Sequence, residues 1–296
     1  MVAHKYEKLL PHISLGTSIP KCIYQTFRQK EGLPEELQAN IDELCLHNPN
    51  WEYHLYDDDD IIEFIQKEYG DQVLSYYQRI SREYGAARAD FFRYLLMYRC
   101  GGVYLDIKSS AILPLDDILM SEDRYILSHW DNEPGRRYEA FGRFKELSAI
   151  LPRGEYQQWH IISVSGHPFL RAVILRVMEN IDNYHPWKHG VGLYGTLRTT
   201  GPLAYTQAIL ACQKTLSTEM WRFVNHAELI GLEYSIYDRQ GILRQHRNKI
   251  TPYSANLSSV VVFPSSVYMK ILKWGSKCLW ILEILKDKWR QRKYKI

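Results

Sequence analysis

Apolar residues recur along the chain at two different periods, one typical of strands and the other of helices. Alternating or short apolar runs predict strands at residues 19–27, 51–56, 103–108, 125–130 and 158–164. Helical spacing, bounded by capping residues and by glycine or proline stops, predicts helices at residues 33–46, 60–69, 71–81, 84–100, 170–183 and 203–213. This succession of strands and helices predicts an α/β fold in which helices flank a sheet.

The stretch at residues 84–114 sets a helix directly before a strand. Its first part is rich in alanine, which favours helix, and two glycines at positions 101 and 102 supply a stop. In the strand that follows, we expect Tyr104, Asp106 and Lys108 on one side, since side chains alternate along an extended chain. The pattern therefore predicts a phenol, a carboxylate and an ammonium group together at a strand end.

A family resemblance is carried by the segment ADFFRYLLMYRCGGVYLDIKSS at residues 89–110. It resembles the signature of the glycosyltransferase family 32 sugar-binding region, in which an alanine-rich helix with Asp and Arg precedes two glycines and a strand ending in Asp-x-Asp. The segments IPKCIYQ at residues 19–25 and NPNWEYHL at residues 48–55 also resemble family sequences. The resemblance implies a GT-A-like mixed sheet that binds a nucleotide sugar. The sequence departs from the pattern at Lys108, where the second Asp is expected.

This departure leaves the role of a metal open. Two carboxylates two positions apart on a strand can bind one divalent cation, Mn²⁺ or Mg²⁺, that neutralises the diphosphate leaving group. Asp106 could still bind such a cation with help from elsewhere, and the resemblance makes His226 and His246 the candidates for a late histidine that contacts metal or phosphate. Alternatively, Lys108 itself faces the diphosphate and partly replaces the cation, or it forms an ion pair with Asp106 or Asp90 in an inactive relative. We expect Asp106 and Lys108 to be the catalytic pair.

Donor-binding residues are expected on the first strand and on the central helix. The resemblance assigns Asp90 and Arg93 to recognition of the nucleotide sugar, whereas the structural alternative is a buried ion pair that braces the helix. Tyr24, Gln25 and Thr26 end the first strand, and ligands of open α/β sheets bind beyond the carboxyl ends of strands. These five residues, together with Tyr104, Asp106 and Lys108, form the predicted donor site.

The acidic run at residues 57–60 has two interpretations. It could ligate a metal, but it directly precedes a predicted helix, where carboxylates cap free amides and suit the helix dipole. We favour capping and keep Asp57 as a candidate ribose contact. The motif at residues 165–170 is likewise architectural, since His167 and Pro168 are placed to open a helix.

The second half of the chain is expected to bind the acceptor. We predict a glycosyltransferase domain over residues 1–268, with a nucleotide-sugar half at about 19–130 and an acceptor half at about 131–268. Asp131 follows a predicted strand in a polar loop, and Trp159 and His160 lie on the strand at 158–164. These three residues are the candidate acceptor contacts. A surface loop without a role is the alternative for Asp131.

A basic amphipathic tail is predicted at residues 269–296. Its apolar positions recur at spacings of three and four. Its nine Lys or Arg and two acids give the tail a net charge of +7, and since the whole chain has +3, the rest of the chain carries −4. Such a helix is typical of a segment that lies in an anionic membrane surface, although the same stripe could pack on the body. Because the basic character is confined to one end, no nucleic-acid partner is expected.

The compartment is inferred from cysteines and from the start of the chain. Five scattered cysteines without CxxC spacing indicate a reducing environment and argue against both a disulfide framework and a zinc site, and no apolar run in the first residues resembles a signal or anchor. We therefore expect a cytoplasmic protein, peripheral on the inner face of the cell membrane.

The family resemblance and this location imply a function. We predict a retaining glycosyltransferase that moves a hexose from a nucleotide sugar, preferentially UDP-linked, to a glycan or lipid-linked glycan of a surface polysaccharide or lipopolysaccharide. A relative that binds nucleotide or glycan without catalysis, owing to its degenerate Asp-x-Asp motif, is the alternative.

Overall fold

The computed structural model describes residues 3–239 and 256–263. Its strands are β1 (Cys22–Thr26), β2 (Glu52–Tyr56), β3 (Gly102–Leu105), β4 (Ser110–Ala111), β5 (Tyr125–His129), β6 (His160–Ser163), β7 (Arg222–His226) and β8 (Leu232–Glu233). Its α-helices are α1 (Ala3–Glu7), α2 (Glu35–His47), α3 (Asp58–Arg79), α4 (Gly85–Cys100), α5 (Leu115–Ile118), α6 (Pro168–Asp182), α7 (Pro186–His189), α8 (Gly192–Thr199), α9 (Pro202–Gln213) and α10 (Ile236–Arg239). Short 3-10 helices lie at Thr218–Met220 and Ala227–Ile230.

A mixed sheet forms the centre of the described structure. Its six strands follow the order β2-β1-β3-β6-β5-β7. Strand β1 is parallel to β2 and β3, β6 is antiparallel to β3 and β5, and β7 is parallel to β5. Strands β4 and β8 form a small separate antiparallel pair. The prediction of an α/β fold with a mixed sheet between helices is confirmed, while the predicted tail helix lies outside the described residues.

The sheet is covered by apolar side chains on both faces. On one face Tyr104 of β3 packs in the cluster that includes Phe91 and Phe92 of α4. On the other face Val103 and Leu105 pack in a second cluster with Trp130 and Trp159. The alternation predicted for this strand is thus confirmed up to Leu105. Burial of each large apolar side chain stabilises the fold by about 1.5–3 kcal/mol.

Helix ends follow the predicted capping chemistry. Asp57 Oδ1 accepts hydrogen bonds from the amides of Asp59 (3.1 Å) and Asp60 (3.0 Å), and Asp60 Oδ2 accepts from the Asp57 amide (2.9 Å). This capping box confirms that the acidic run begins a helix. His167 Nδ1 accepts from the Phe169 amide (3.2 Å) at the start of α6, as predicted.

Gly101 ends α4 with a φ of 70° that favours glycine. A Cβ at this position would lie 2.6 Å from the Ser165 amide nitrogen, so the loop that follows β6 can come this close only to a glycine. The predicted helix stop is confirmed, and close packing as well as backbone conformation explains it.

The prediction of a strand through residue 108 was wrong. Strand β3 ends at Leu105, and the Ser109 amide donates to the Asp106 carbonyl (2.7 Å), which closes a turn over residues 106–109. Asp106 and Lys108 therefore do not share a strand face. Helices α7 and α8 and the β4–β8 pair were not predicted, because their short sequences show no sustained apolar period.

Candidate active site

A cavity of about 340 Å³ opens where strands β1 and β3 end and helix α4 begins. It is lined by Thr26, Phe27, Arg28, Asp58, Ile61, Tyr77, Arg82, Gly85, Ala86, Arg88, Ala89, Arg93, Tyr104, Asp106, Ile107 and Lys108. The carboxyl ends of two adjacent parallel strands thus contribute to its walls, as is usual for ligand sites in open α/β sheets.

Arg93 and Asp106 form the ion pair at the base of this cavity. Arg93 Nη2 lies 2.9 Å from Asp106 Oδ1 and 3.4 Å from Asp90 Oδ1. Its guanidinium also lies over the Tyr104 ring, 4.8 Å from the centroid, and its Nη1 donates to the Gln158 carbonyl (2.9 Å). Burial opposes the charge, but the carboxylate of Asp106 and then Tyr104 and Asp90 raise the Arg93 pKa above its usual value. Arg93 is therefore a permanent, well-oriented cation.

Asp90 is buried behind Arg93. Thr200 Oγ1 donates to its Oδ2 (3.0 Å), and Gln158 Nε2 donates to its Oδ1 (3.2 Å). Burial raises the Asp90 pKa to about 6, although Arg93 and the Thr200 hydrogen bond act in the opposite direction. Asp90 does not line the cavity, so its contact with Arg93 is a positioning interaction in this structure. The predicted ion pair is present, and a donor contact of Asp90 stays a prediction.

Two buried amides hold the turn that carries Asp106 and Lys108. Gln25 Nε2 donates to the Asp106 carbonyl (3.1 Å), and Asn40 Nδ2 donates to the carbonyls of Ile107 (3.2 Å) and Ser109 (3.0 Å). These hydrogen bonds satisfy carbonyl groups of the turn, and buried backbone groups without partners are costly. Gln25 thus supports the site from below rather than lining the cavity.

Lys108 is held against an aromatic group on the far side of the turn. Its Nζ donates to the Tyr234 hydroxyl (2.8 Å) and lies 4.1 Å from the centre of that ring. Tyr234 packs edge-on against Trp130, with ring centroids 4.9 Å apart. Lys108 is a lining residue of the cavity, whereas Tyr234 is not among the described lining residues, so contact of the ammonium group with a bound anion requires Nζ to turn away from Tyr234.

Arg88 is a site residue that the sequence reasoning missed. It lines the cavity while only 7% of its surface is exposed, and its guanidinium lies 4.5 Å from the Tyr77 ring centre. Among the residues described here, its Nε has no hydrogen-bond partner and no carboxylate forms an ion pair with it. The sequence did contain a signal for Arg88, because it is a charged residue in an alanine-rich helix. The same observation had singled out Asp90.

The charge of the described cavity wall favours an anion. Five cationic side chains, Arg28, Arg82, Arg88, Arg93 and Lys108, stand against two acids, Asp58 and Asp106. In the described wall the carboxylates are Asp106, which contacts Arg93, and the exposed Asp58, and a divalent cation at this site stays a prediction. His246, one of the two candidate histidines, lies outside the described residues.

The remaining predicted site residues lie around the cavity. Thr26 and Tyr104 both line the cavity, and Thr26 Oγ1 lies 3.1 Å from the Tyr104 hydroxyl. Tyr24 is buried and stacks on His54 with centroids 5.2 Å apart, and it is not among the described lining residues. Asp131 follows β5, and its Oδ1 lies 3.8 Å from Arg136 Nε. A donor role for Tyr24 and an acceptor role for Asp131 stay predictions.

Two predicted acceptor contacts, Trp159 and His160, have buried side chains. Trp159 is 3% exposed and His160 is 1% exposed. His160 Nε2 lies 2.9 Å from Ser128 Oγ, and burial lowers the His160 pKa to about 3, so the ring is neutral. Contact with an acceptor would require the surroundings of both residues to open, and their acceptor role stays a prediction.

Comparison with protein families identifies one region of the chain. Residues 34–125 match the family described as the glycosyltransferase sugar-binding region containing the DXD motif. This segment includes α3, α4 and the turn that carries Asp106 and Lys108.

Curated relatives are mannosyltransferases of fungi. The chain is 30% identical over 211 residues to inositol phosphoceramide mannosyltransferase 3 of Schizosaccharomyces pombe, covering 71% of this chain and 50% of the relative. It is 25% identical over 217 residues to the initiation-specific alpha-1,6-mannosyltransferase of the same organism, covering 69% and 50%. The chain thus spans about half the length of these relatives.

Solved structures with a remote likeness include two glycosyltransferases. The PaToxG glycosyltransferase is 16% identical with a TM-score of 0.46, over 74% of this chain and 77% of that chain. The UDP-bound glycosyltransferase domain of the YGT toxin is 9% identical with a TM-score of 0.49, over 75% and 82%.

Proposed function

We propose that this protein is a glycosyltransferase of the family 32 type that transfers a hexose from a nucleotide sugar to a hydroxyl group, because residues 34–125 match the glycosyltransferase sugar-binding region containing the DXD motif. The observation that carries the proposal is the cavity at the ends of β1 and β3, with five cations against two acids in its described wall. A nucleoside diphosphate is a polyanion of matching charge. A hexose is also consistent with relatives named as mannosyltransferases.

The proposed chemistry is stabilisation of the leaving diphosphate by fixed cations. As the sugar–phosphate bond breaks, negative charge grows on the departing oxygen, and pre-oriented donors stabilise that charge without reorganisation. Lys108, Arg93 and Arg88 line the cavity and supply such donors. Arginine adds a planar fork that binds phosphate oxygens in pairs. Asp106 orients Arg93 through their 2.9 Å contact. We propose that these cations replace the divalent ion that a second carboxylate would hold.

Retention of the anomeric configuration and a UDP-linked donor form the finer part of the proposal. Both rest on the family resemblance of the central motif. The acceptor is proposed to be a glycan or lipid-linked glycan, such as a surface polysaccharide or lipopolysaccharide under assembly. The curated relatives are consistent with acceptors of this general kind, since one is named for a ceramide lipid.

Membrane attachment through residues 269–296 completes the proposal. That segment carries the excess of basic residues and lies outside the described residues. No helix of the described structure combines the length and the apolar character needed to cross a bilayer. Sedimentation with vesicles of anionic lipid tests the attachment. We expect the full chain to co-sediment and a variant that ends at residue 268 to stay in solution; equal sedimentation of both would contradict the proposal.

A donor screen tests the activity. The purified chain is incubated with UDP-linked and GDP-linked hexoses, with manganese and with a chelator, and released nucleoside diphosphate and sugar are measured. We expect turnover of one donor class in the presence of the chelator. Calorimetric binding of a nucleoside diphosphate without turnover of any donor, even with candidate acceptors, would instead favour a binding protein. The absence of both binding and turnover would refute the proposal.

A further inference from the structure

A second cluster of ligand-type side chains lies on strands β1 and β2, away from the cavity. The Cys22 thiol, a Glu52 carboxylate oxygen and a His54 ring nitrogen lie within 4.8 Å of one another. Among the described residues this is the one group of three such side chains at metal-ligand spacing. We propose that Cys22, Glu52 and His54 bind a zinc ion.

The strand register brings these side chains together. Cys22 and Glu52 are direct partners across the parallel pair, and His54 follows two residues after Glu52, on the same face of β2. Because strand geometry sets these positions, the ligands need only small side-chain rotations to converge. His54 Nε2 already lies 3.2 Å from a Glu52 oxygen. A tetrahedral zinc separates its ligand atoms by about 3.5 Å, so the present spacing is close to the required one.

The ligand chemistry selects zinc over harder cations. One thiolate, one imidazole and one carboxylate form a mixed soft and borderline set, whereas Mg²⁺ and Ca²⁺ prefer oxygen alone. Three protein ligands leave a fourth position for water. Glu52 is exposed and Cys22 and His54 are half-buried, so the ion can enter from solvent.

The His54 ring is oriented before any ion binds. It stacks on the Tyr24 ring with an interplanar angle of 18° and centroids 5.2 Å apart. Such support limits the freedom that an imidazole loses on coordination. This contact also gives the buried Tyr24 a role in positioning a ligand.

The proposed site is separate from the transferase chemistry. Thr26, at the cavity, lies four residues beyond Cys22, or about 13 Å along the strand. Strand β2 is the outermost strand at its end of the sheet order. An ion shared between Cys22 of β1 and two residues of β2 would fasten this edge strand to its neighbour.

Zinc titration of the full, chelator-treated chain tests the inference. We expect about one strong site per chain that disappears or weakens more than about 10-fold in Cys22→Ser and in His54→Gln. Cys45→Ser is the matched control, since Cys45 is also half-buried but is not part of the cluster, and it should bind zinc as the wild type does. Asp106→Asn should also leave the site unchanged, which separates it from the cavity.

Three readouts on the unaltered protein do not depend on how a variant folds. Zinc should protect Cys22 from alkylation, as mapped by mass spectrometry, and should raise the melting temperature. Cobalt should give thiolate-to-metal charge-transfer absorption. Equal zinc affinity in the wild type and in the Cys22→Ser/His54→Gln double variant, including no binding by either, would overturn the inference. Unprotected Cys22 at saturating zinc would also overturn it.

Discussion

Arg93 of α4 binds Asp106 at the end of β3, with 2.9 Å between Nη2 and Oδ1. Arg93 is 4% exposed, so removing it leaves a carboxylate without its buried partner. We expect Arg93→Met to lower the free energy of unfolding by about 3–5 kcal/mol and to abolish donor binding. Denaturant unfolding and calorimetry measure these effects.

The control for Arg93→Met is Arg176→Met, because Arg176 forms a half-exposed pair with Glu179 on α6. That variant should stay within about 1 kcal/mol of the wild type. A double-mutant cycle with Asp106→Asn isolates the pair, since contacting residues do not contribute additively. Fully additive effects would contradict the coupling that the geometry indicates.

Lys108 is expected to supply charge to the diphosphate. Lys108→Gln should reduce turnover by about 10²–10³-fold, the usual loss for one electrostatic donor at a transition state. Lys108→Asp should instead make activity depend on manganese, because it restores a second carboxylate to the turn. Turnover with and without manganese is the measurement, and Lys21→Gln, at an exposed pair with Asp116, is the control. Unchanged turnover and metal response in both Lys108 variants would dismiss this role.

Substitution of Arg88 distinguishes a role in nucleotide binding from a role in stabilising the fold. Because no carboxylate pairs with it among the described residues, Arg88→Gln should keep or raise the free energy of unfolding. The same variant should bind nucleoside diphosphate about 10–100-fold more weakly, the loss expected for a hydrogen bond to a charged group. Calorimetry and denaturant unfolding measure the two quantities. Loss of stability with unchanged binding would identify Arg88 as structural.

Glu155 makes stability depend on pH. Burial raises its pKa to about 7; the Trp130 hydrogen bond opposes this shift and the charge of Asp90 adds to it. Folded Glu155 thus keeps its proton to about pH 7, whereas the unfolded chain loses it near pH 4.5. Its contribution to the free energy of unfolding therefore falls as pH rises from about 4.5 to 7, by up to roughly 3 kcal/mol.

Glu155→Gln should remove this part of the pH dependence. Glutamine keeps an oxygen for the Trp130 indole, which donates to Glu155 Oε1 (2.8 Å) in the wild type, and it cannot ionise. We expect the variant to gain stability over the wild type at pH 8 and to match it near pH 4.5. Denaturant unfolding at several pH values measures the difference. A constant difference across that range would contradict the assigned pKa.

Substitution of Asp57 tests how much the capping box at the start of α3 stabilises the protein. Asp57→Ala removes the acceptor of two amide hydrogen bonds and should lower the free energy of unfolding by about 1 kcal/mol. Asp57→Asn should recover most of it, since asparagine is also a good cap. Thermal unfolding provides the measurement. Similar losses in both variants would mean that the charge of Asp57, rather than its capping geometry, is what matters.

Features that depend on neighbouring residues were predictable from the sequence. The α/β alternation, the stop of α4 at Gly101, the cap of α3 at Asp57 and the cap of α6 at His167 all follow from contacts within a few residues. Periodicity and capping chemistry encode such contacts directly. For this reason, the helix and the start of the strand in the central motif were predicted correctly, whereas the continuation of that strand through residue 108 was not.

Features that depend on distant residues came only with the tertiary structure. The turn at residues 106–109 is held by Gln25 and Asn40, Lys108 meets Tyr234, and Asp90 meets Thr200. These partners are separated by at least 67 positions along the chain, the separation of Asn40 and Ile107. No local period records such pairings, because folding alone brings the side chains together. Local pattern therefore defined the elements and the motif, and long-range packing decided which charges face the cavity.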